Sequence, residues 1–159
     1  MDEANFVLIE DHRTSKVWKY NATDQTVTQL QKTSSIGYHS GCVIVEKFNK
    51  KWLLKSGGEI YDNDKNKWQY FDTTGRLDLS TDTAAWETLG PLNTGRYKHG
   101  MFETKFGIIA VGGYGSGSGD TRKIEVLDWD KKSWSYIEPS LTTYSVWSYG
   151  VVEVPASIF

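Results

Sequence analysis

The sequence predicts an all-β fold, on three observations. No stretch sustains the 3.6-residue apolar period of a helix. Seven short, extended apolar segments run along the chain instead, at residues 6–10, 17–21, 42–45, 52–54, 108–111, 124–127 and 151–154. Between them lie stretches that are polar or rich in Gly or Thr, and seven tryptophans supply large side chains for a core among 159 residues. Many short strands at regular spacing argue for a sandwich, a barrel or a propeller.

Taken in order, the segments form an imperfect repeat, the signal most able to mislead if missed. Residues 5–30 hold "KVWKYNATDQTVTQL", with Tyr20-Asn21, then Val27 and Leu30. Residues 38–90 hold "YHSGCVIVEKFNKKWLLKSGG", with His39 and the pair Gly57-Gly58, and close on Trp86. Between these landmarks, within 59–85, lies an insertion in which either "WQYFD" or "LDLS" serves as the third strand. Residues 97–138, entered through Arg96, carry the fullest copy: His99, Gly112-Gly113, Leu127-Asp128 and Trp134. A last strand, "YGVVEV", falls within 148–154. His39 and His99 are expected to share one slot of the repeat. Gly57 to Gly112 is 55 residues and Trp86 to Trp134 is 48, so the unit is near 50.

The order Arg-x-x-His, strand, second strand ending in Gly-Gly, acidic turn, and Trp six residues on resembles the kelch repeat. Residues 86–134 match nearly every landmark. The flanking copies depart from it, with Val27 at a tryptophan position and Tyr144 at an arginine position. The resemblance implies four-stranded blades of a β-propeller. Gly-Gly then ends the second strand where the chain turns tightly, and the late tryptophan fills the wedge between blades. Residues 5–30 supply three strands, the next two units four each, and 148–154 one, which is the content of about three blades. Closed propellers need four to eight. The expected architecture is therefore a partial or open propeller, either a segment of a longer ring or half of a homodimer closed head to tail. The WD type is disfavoured: Trp129-Asp130 lacks its upstream Gly-His, and residues 99–100 read His-Gly.

Charge and composition limit the function. Eighteen basic against 20 acidic residues, a net charge of -2, leave no electrostatic footprint for nucleic acid. No apolar run approaches the ~20 residues of a membrane span. The acidic start "MDEANFVLIEDH" does not read as a secretory signal, and the single Cys42 cannot form an internal disulfide. A cytoplasmic protein is expected. The Gly-rich "GIIAVGGYGSGSGD" contains no G-x-G-x-x-G and no Gly-Lys-Ser/Thr, and the strand-like "DTRKIEVLDWD" follows it, so no phosphate-binding loop is read.

Catalytic chemistry is sparse. Among His12, His39 and His99 no spacing suits a metal. Cys42, inside "GCVIVE", reads as a small core residue, and Asp62/Asp64 and Asp128/Asp130 as turn formers. No triad order is present, so no catalytic residue, metal or cofactor is expected. The resemblance places the loops 93–98, 114–122 and 140–147 on one surface, presenting Arg96, Tyr97, Tyr114, Arg122, Tyr144 and Trp147. Arginine and aromatic residues dominate binding hot spots, and in substrate-recruiting kelch domains an arginine at the Arg96 position meets acidic peptide side chains. Pairing of Arg96 with a neighbouring acid is the alternative. The expected function is a kelch-type interaction module for a protein or peptide. An enzyme on a propeller scaffold, oxidase-like or carbohydrate-active, and a fragment without independent function remain open beside it.

Overall fold

The computed structural model describes residues 6–11, 16–30, 37–81, 83, 85–115, 121–138 and 140. Its strands are β1 (Phe6–Asp11), β2 (Lys16–Asn21), β3 (Thr26–Gln29), β4 (Gly41–Lys47), β5 (Lys50–Ser56), β6 (Glu59–Asp62), β7 (Lys67–Tyr70), β8 (Thr74–Asp78), β9 (Glu87–Leu89), β10 (Arg96–Tyr97), β11 (Gly100–Thr104), β12 (Gly107–Val111), β13 (Tyr114–Gly115), β14 (Ile124–Asp128) and β15 (Ser133–Ile137). Every pairing among them is antiparallel. Three sheets stand as successive blades: β1-β2-β3, β4-β5-β8-β9 and β11-β12-β14-β15. The three-plus-four-plus-four strand content expected from the repeat is present. The expected closing strand lies outside the described residues.

Short turns set these registers. Phe48 and Asn49 between β4 and β5 both take positive φ, 55° and 58°, the backbone of a two-residue hairpin whose twist matches the strands. The glycine pairs act as expected. Gly57 and Gly113 have φ of 63° and 82°. A Cβ on Gly113 would stand 2.5 Å from the Tyr97 carbonyl oxygen, and one on Gly57 would strike that of Arg96.

Alternation along the strands gives each blade two apolar faces, and these make two cores. Val17 and Leu30 of the first blade meet Leu53, Leu77 and Leu79 of the second, with Trp86 packed alongside. Val45, Leu54 and Leu89 of the second blade meet Met101, Ile108, Ala110, Leu127 and Trp134 of the third. Trp134 is 6% exposed, and its Nε1 donates to Thr74 Oγ1 at 3.0 Å on the neighbouring blade. It fills the wedge between blades, as expected from the repeat.

The ambiguous insertion resolves. The third strand of the second blade is β8, which contains Leu77-Asp78. The stretch "WQYFD" instead contributes β7, which pairs only with β6 as a separate hairpin.

Two expectations are corrected. Tyr38 bridges Glu59 as Tyr97 pairs with Tyr114, each partner directly following a glycine pair. This register aligns His39 with Lys98, both at φ 55°, and Ser40 with His99. The two histidines therefore do not share a slot. Cys42 is exposed rather than in a core, because the buried side of β4 belongs to Gly41 and Val45.

Candidate functional site

The glycine pairs bring several short segments together at one end of the blades. Tyr70 ends β7, Tyr97 lies in β10 and Tyr114 opens β13. Their rings form a continuous stack: Tyr70 and Tyr97 have centroids 5.1 Å apart at 14°, and Tyr97 and Tyr114 are 5.3 Å apart at 22°. Lys98 Nζ lies 5.7 Å from the Tyr97 ring centroid. Tyr97 and Tyr114 are half-buried, and Tyr70 is exposed. Burial first, then the negative charge of nearby Glu59, pushes the Tyr97 phenol up, so it remains a hydrogen-bond donor at neutral pH.

Beside the stack, His39 Nδ1 lies 2.8 Å from Glu59 Oε1, with His39 outward and Glu59 buried. Beyond Tyr70 the β6–β7 hairpin carries a second aromatic pair, Tyr61 and Trp68, at 5.3 Å and 68°. Tyr61 is 37% exposed and Trp68 47%.

Beneath the tyrosines the chemistry is structural. Arg96, expected at the binding surface, is fully buried and cannot meet a partner. It pairs with Glu125, also fully buried, at 2.7 Å, and donates to the carbonyls of Gly112 and Lys123, each at 3.2 Å. The other Glu125 oxygen accepts from the Asn93 backbone N–H at 2.6 Å and from Asn93 Nδ2 at 3.0 Å. This ties the inter-blade linker to β14, so the alternative reading of Arg96 holds. His99 is buried as well. Ser56 Oγ lies 2.9 Å from both His99 Nε2 and Met101 Sδ, within hydrogen-bonding reach of each. Burial, aided by the Arg96 charge, pushes the imidazole down to about 3.

Of the other expected binding residues, Arg122 is exposed, while Tyr144 and Trp147 lie outside the described residues. Tyr70, Tyr61 and Trp68 were not expected at the site. The signal that could have found them is the aromatic density of "KWQYF" inside an insertion.

At the opposite end of the third blade a groove of about 360 Å³ is lined by Lys47, Phe106, Val126, Asp128 and Trp129, among others. Asp128 is committed to its own turn: backbone and side-chain hydrogen bonds from Lys131 hold its carboxyl below the usual range. Among the described residues no group of three or more His, Cys, Asp or Glu is placed to hold a metal ion, and no helix is long and apolar enough to cross a membrane.

No protein-family model and no curated protein matches the chain. Solved structures do. One described as "Structure of YjhT" superposes with a TM-score of 0.68 at 14% identity, over 87% of this chain and 49% of that one. A second, a "Novel fungal alcohol oxidase with catalytic diversity among the AA5 family, in complex with copper", gives 0.55 at 19% identity, over 82% of this chain and 26% of that one. The fold is thus of β-propeller type, and the chain spans about half and about a quarter of these two structures.

Proposed function

We propose that the chain is a kelch-type interaction module that takes a protein or peptide partner across the tyrosine face. One observation carries this reading: Tyr70, Tyr97 and Tyr114, from three separate strands, converge in one stack, and the hairpin that supplies Tyr70 also carries the exposed Tyr61–Trp68 pair. Tyrosine and tryptophan give large contact area with few rotatable bonds, and such residues dominate hot spots. Because both faces of the Tyr97 ring are covered by its neighbours, a partner meets ring edges and hydroxyls there, and open ring surface only toward Tyr70 and the hairpin. Arg122 is exposed, and the resemblance places its loop on the same surface, where it would add a charge.

Panning a displayed random-peptide library against the 159-residue chain tests this. Selected peptides should weaken about 30-fold on Tyr70→Ala or Trp68→Ala, the effect of a ~2 kcal/mol hot spot. They should be indifferent to Phe106→Ala at the opposite end. Peptides insensitive to both aromatic substitutions, or centred on Phe106, would overturn the face assignment.

A further inference from the structure

The two blade-to-blade cores share one construction, and the first blade carries half of it with nothing described on top. Tyr20 pairs with Val27 across β2 and β3 as Leu127 pairs with Trp134 across β14 and β15. These pairs occupy the same place in their blades. Leu127 and Trp134 are 3% and 6% exposed under the second blade, but Val27 is 62% exposed. Since Val17 points into the first core, alternation turns Trp18 and Tyr20 to the same open side as Val27.

The third blade is open in the opposite sense. Ile108, Ala110, Leu127 and Trp134 face the second blade. Alternation therefore turns Phe102, Ile109, Val111, Ile124, Val126 and Ile137 away from it; Ile109, at the centre, is buried and the other five are half-buried. Neither core cluster among the described residues includes a side chain of this face. The corresponding face of the second blade, with Val45 and Leu54, is the one the third blade covers.

We infer that two copies of this chain associate head to tail, the outer face of one copy's third blade covering Trp18, Tyr20 and Val27 of the other copy's first blade. The occupant follows from continuity: each open face is one half of an interface the chain already makes twice within itself. Three blades here span 49% of the propeller chain they superpose on, so two such sets match its extent. Two copies make six blades, within the range of closed propellers. Because the contact joins two different faces, it forms a ring only if the second contact also closes.

Light scattering on the size-exclusion peak of the 159-residue chain reads the result. A monodisperse species at twice 18.0 kDa is expected. Val27→Asp, at an exposed site that leaves folding intact, should return it to 18.0 kDa. Val126→Asp, on the other face, should do the same, with circular dichroism confirming that its strands persist. Mixing the two variants should restore a dimer through the one contact whose two faces are both native. A monomeric native chain, open-ended aggregation, or a dimer that survives either substitution would overturn the inference.

Discussion

The hairpins β6–β7 and β14–β15 are near copies of each other with opposite fates. In the first, Asp62 Oδ1 accepts from the backbone N–H groups of Asp64 and Lys65, both at 3.1 Å. In the second, Asp128 Oδ1 accepts from those of Asp130 and Lys131 at 3.1 and 3.0 Å. Asn66 and Lys132 take the matching positive φ, 49° and 55°. Each aspartate is followed six residues later by a tryptophan, Trp68 or Trp134. Yet Trp68 is 47% exposed and Trp134 6%. The turn is specified by side chains within a few residues of one another. Burial is specified by what lies across the gap: Thr74, Val45, Leu54 and Leu89 of the second blade for Trp134, and only Tyr61 of its own hairpin for Trp68.

Truncating the two tryptophans separates these contributions most strongly. Trp134→Ala is expected to lower stability by ~3–5 kcal/mol in urea unfolding, as for a buried large aromatic, and Trp68→Ala by less than ~0.5 kcal/mol. Similar losses would erase the contrast. A comparable gap should separate the ion pairs. Arg96→Ala strands Glu125 as an uncompensated buried charge, at a cost of ~3–5 kcal/mol. Lys65→Ala, which breaks the exposed 3.0 Å pair with Asp62, should leave the urea midpoint nearly unmoved.

The buried interface should also respond to acid. The His99 imidazole is pushed down to about 3 in the folded chain, so the unfolded chain binds a proton first, near 6.5. Stability associated with the neutral ring is complete above the unfolded value and is lost as pH falls toward 3. The expected loss between pH 7 and pH 4.5 is on the order of 2 kcal/mol. His99→Gln should flatten that slope, and an unchanged slope would show that another group titrates there. The smallest expected effects are those of Asp62→Ala and Asp128→Ala. Each should loosen its own turn, shifting the amide resonances of that hairpin while the other stays fixed.

The same comparison explains what the sequence disclosed. Gly57-Gly58, Gly112-Gly113 and Trp134 were legible because their roles depend on local conformation or on size at a fixed repeat position. The third strand of the second blade was not, because Tyr61-Asp62 and Trp68 imitate the spacing of Asp128 and Trp134. The true pair, Asp78 and Trp86, is eight residues apart. Arg96 was read toward the surface because its partner Glu125 is 29 residues away, beyond the reach of any turn or strand pattern. Tyr97 and Tyr114 were placed among the candidates, but their stack needed Tyr70, brought in by a hairpin whose docking no period encodes. His39 and His99 are identical residues that stand one position out of register between the two copies. In a strand such a shift exchanges the two faces, and here one histidine is outward and the other buried.

Native-state hydrogen exchange on the unmodified chain tests most directly the claim that alike turns are sorted by the blade interface. If it holds, the paired amides of β14 and β15 exchange only through global unfolding, with opening free energies that track the urea-derived stability. Those of β6 and β7 exchange through local opening at much lower cost, as for a hairpin joined to no other sheet. Equal protection in the two hairpins, rising and falling together with denaturant, would contradict it.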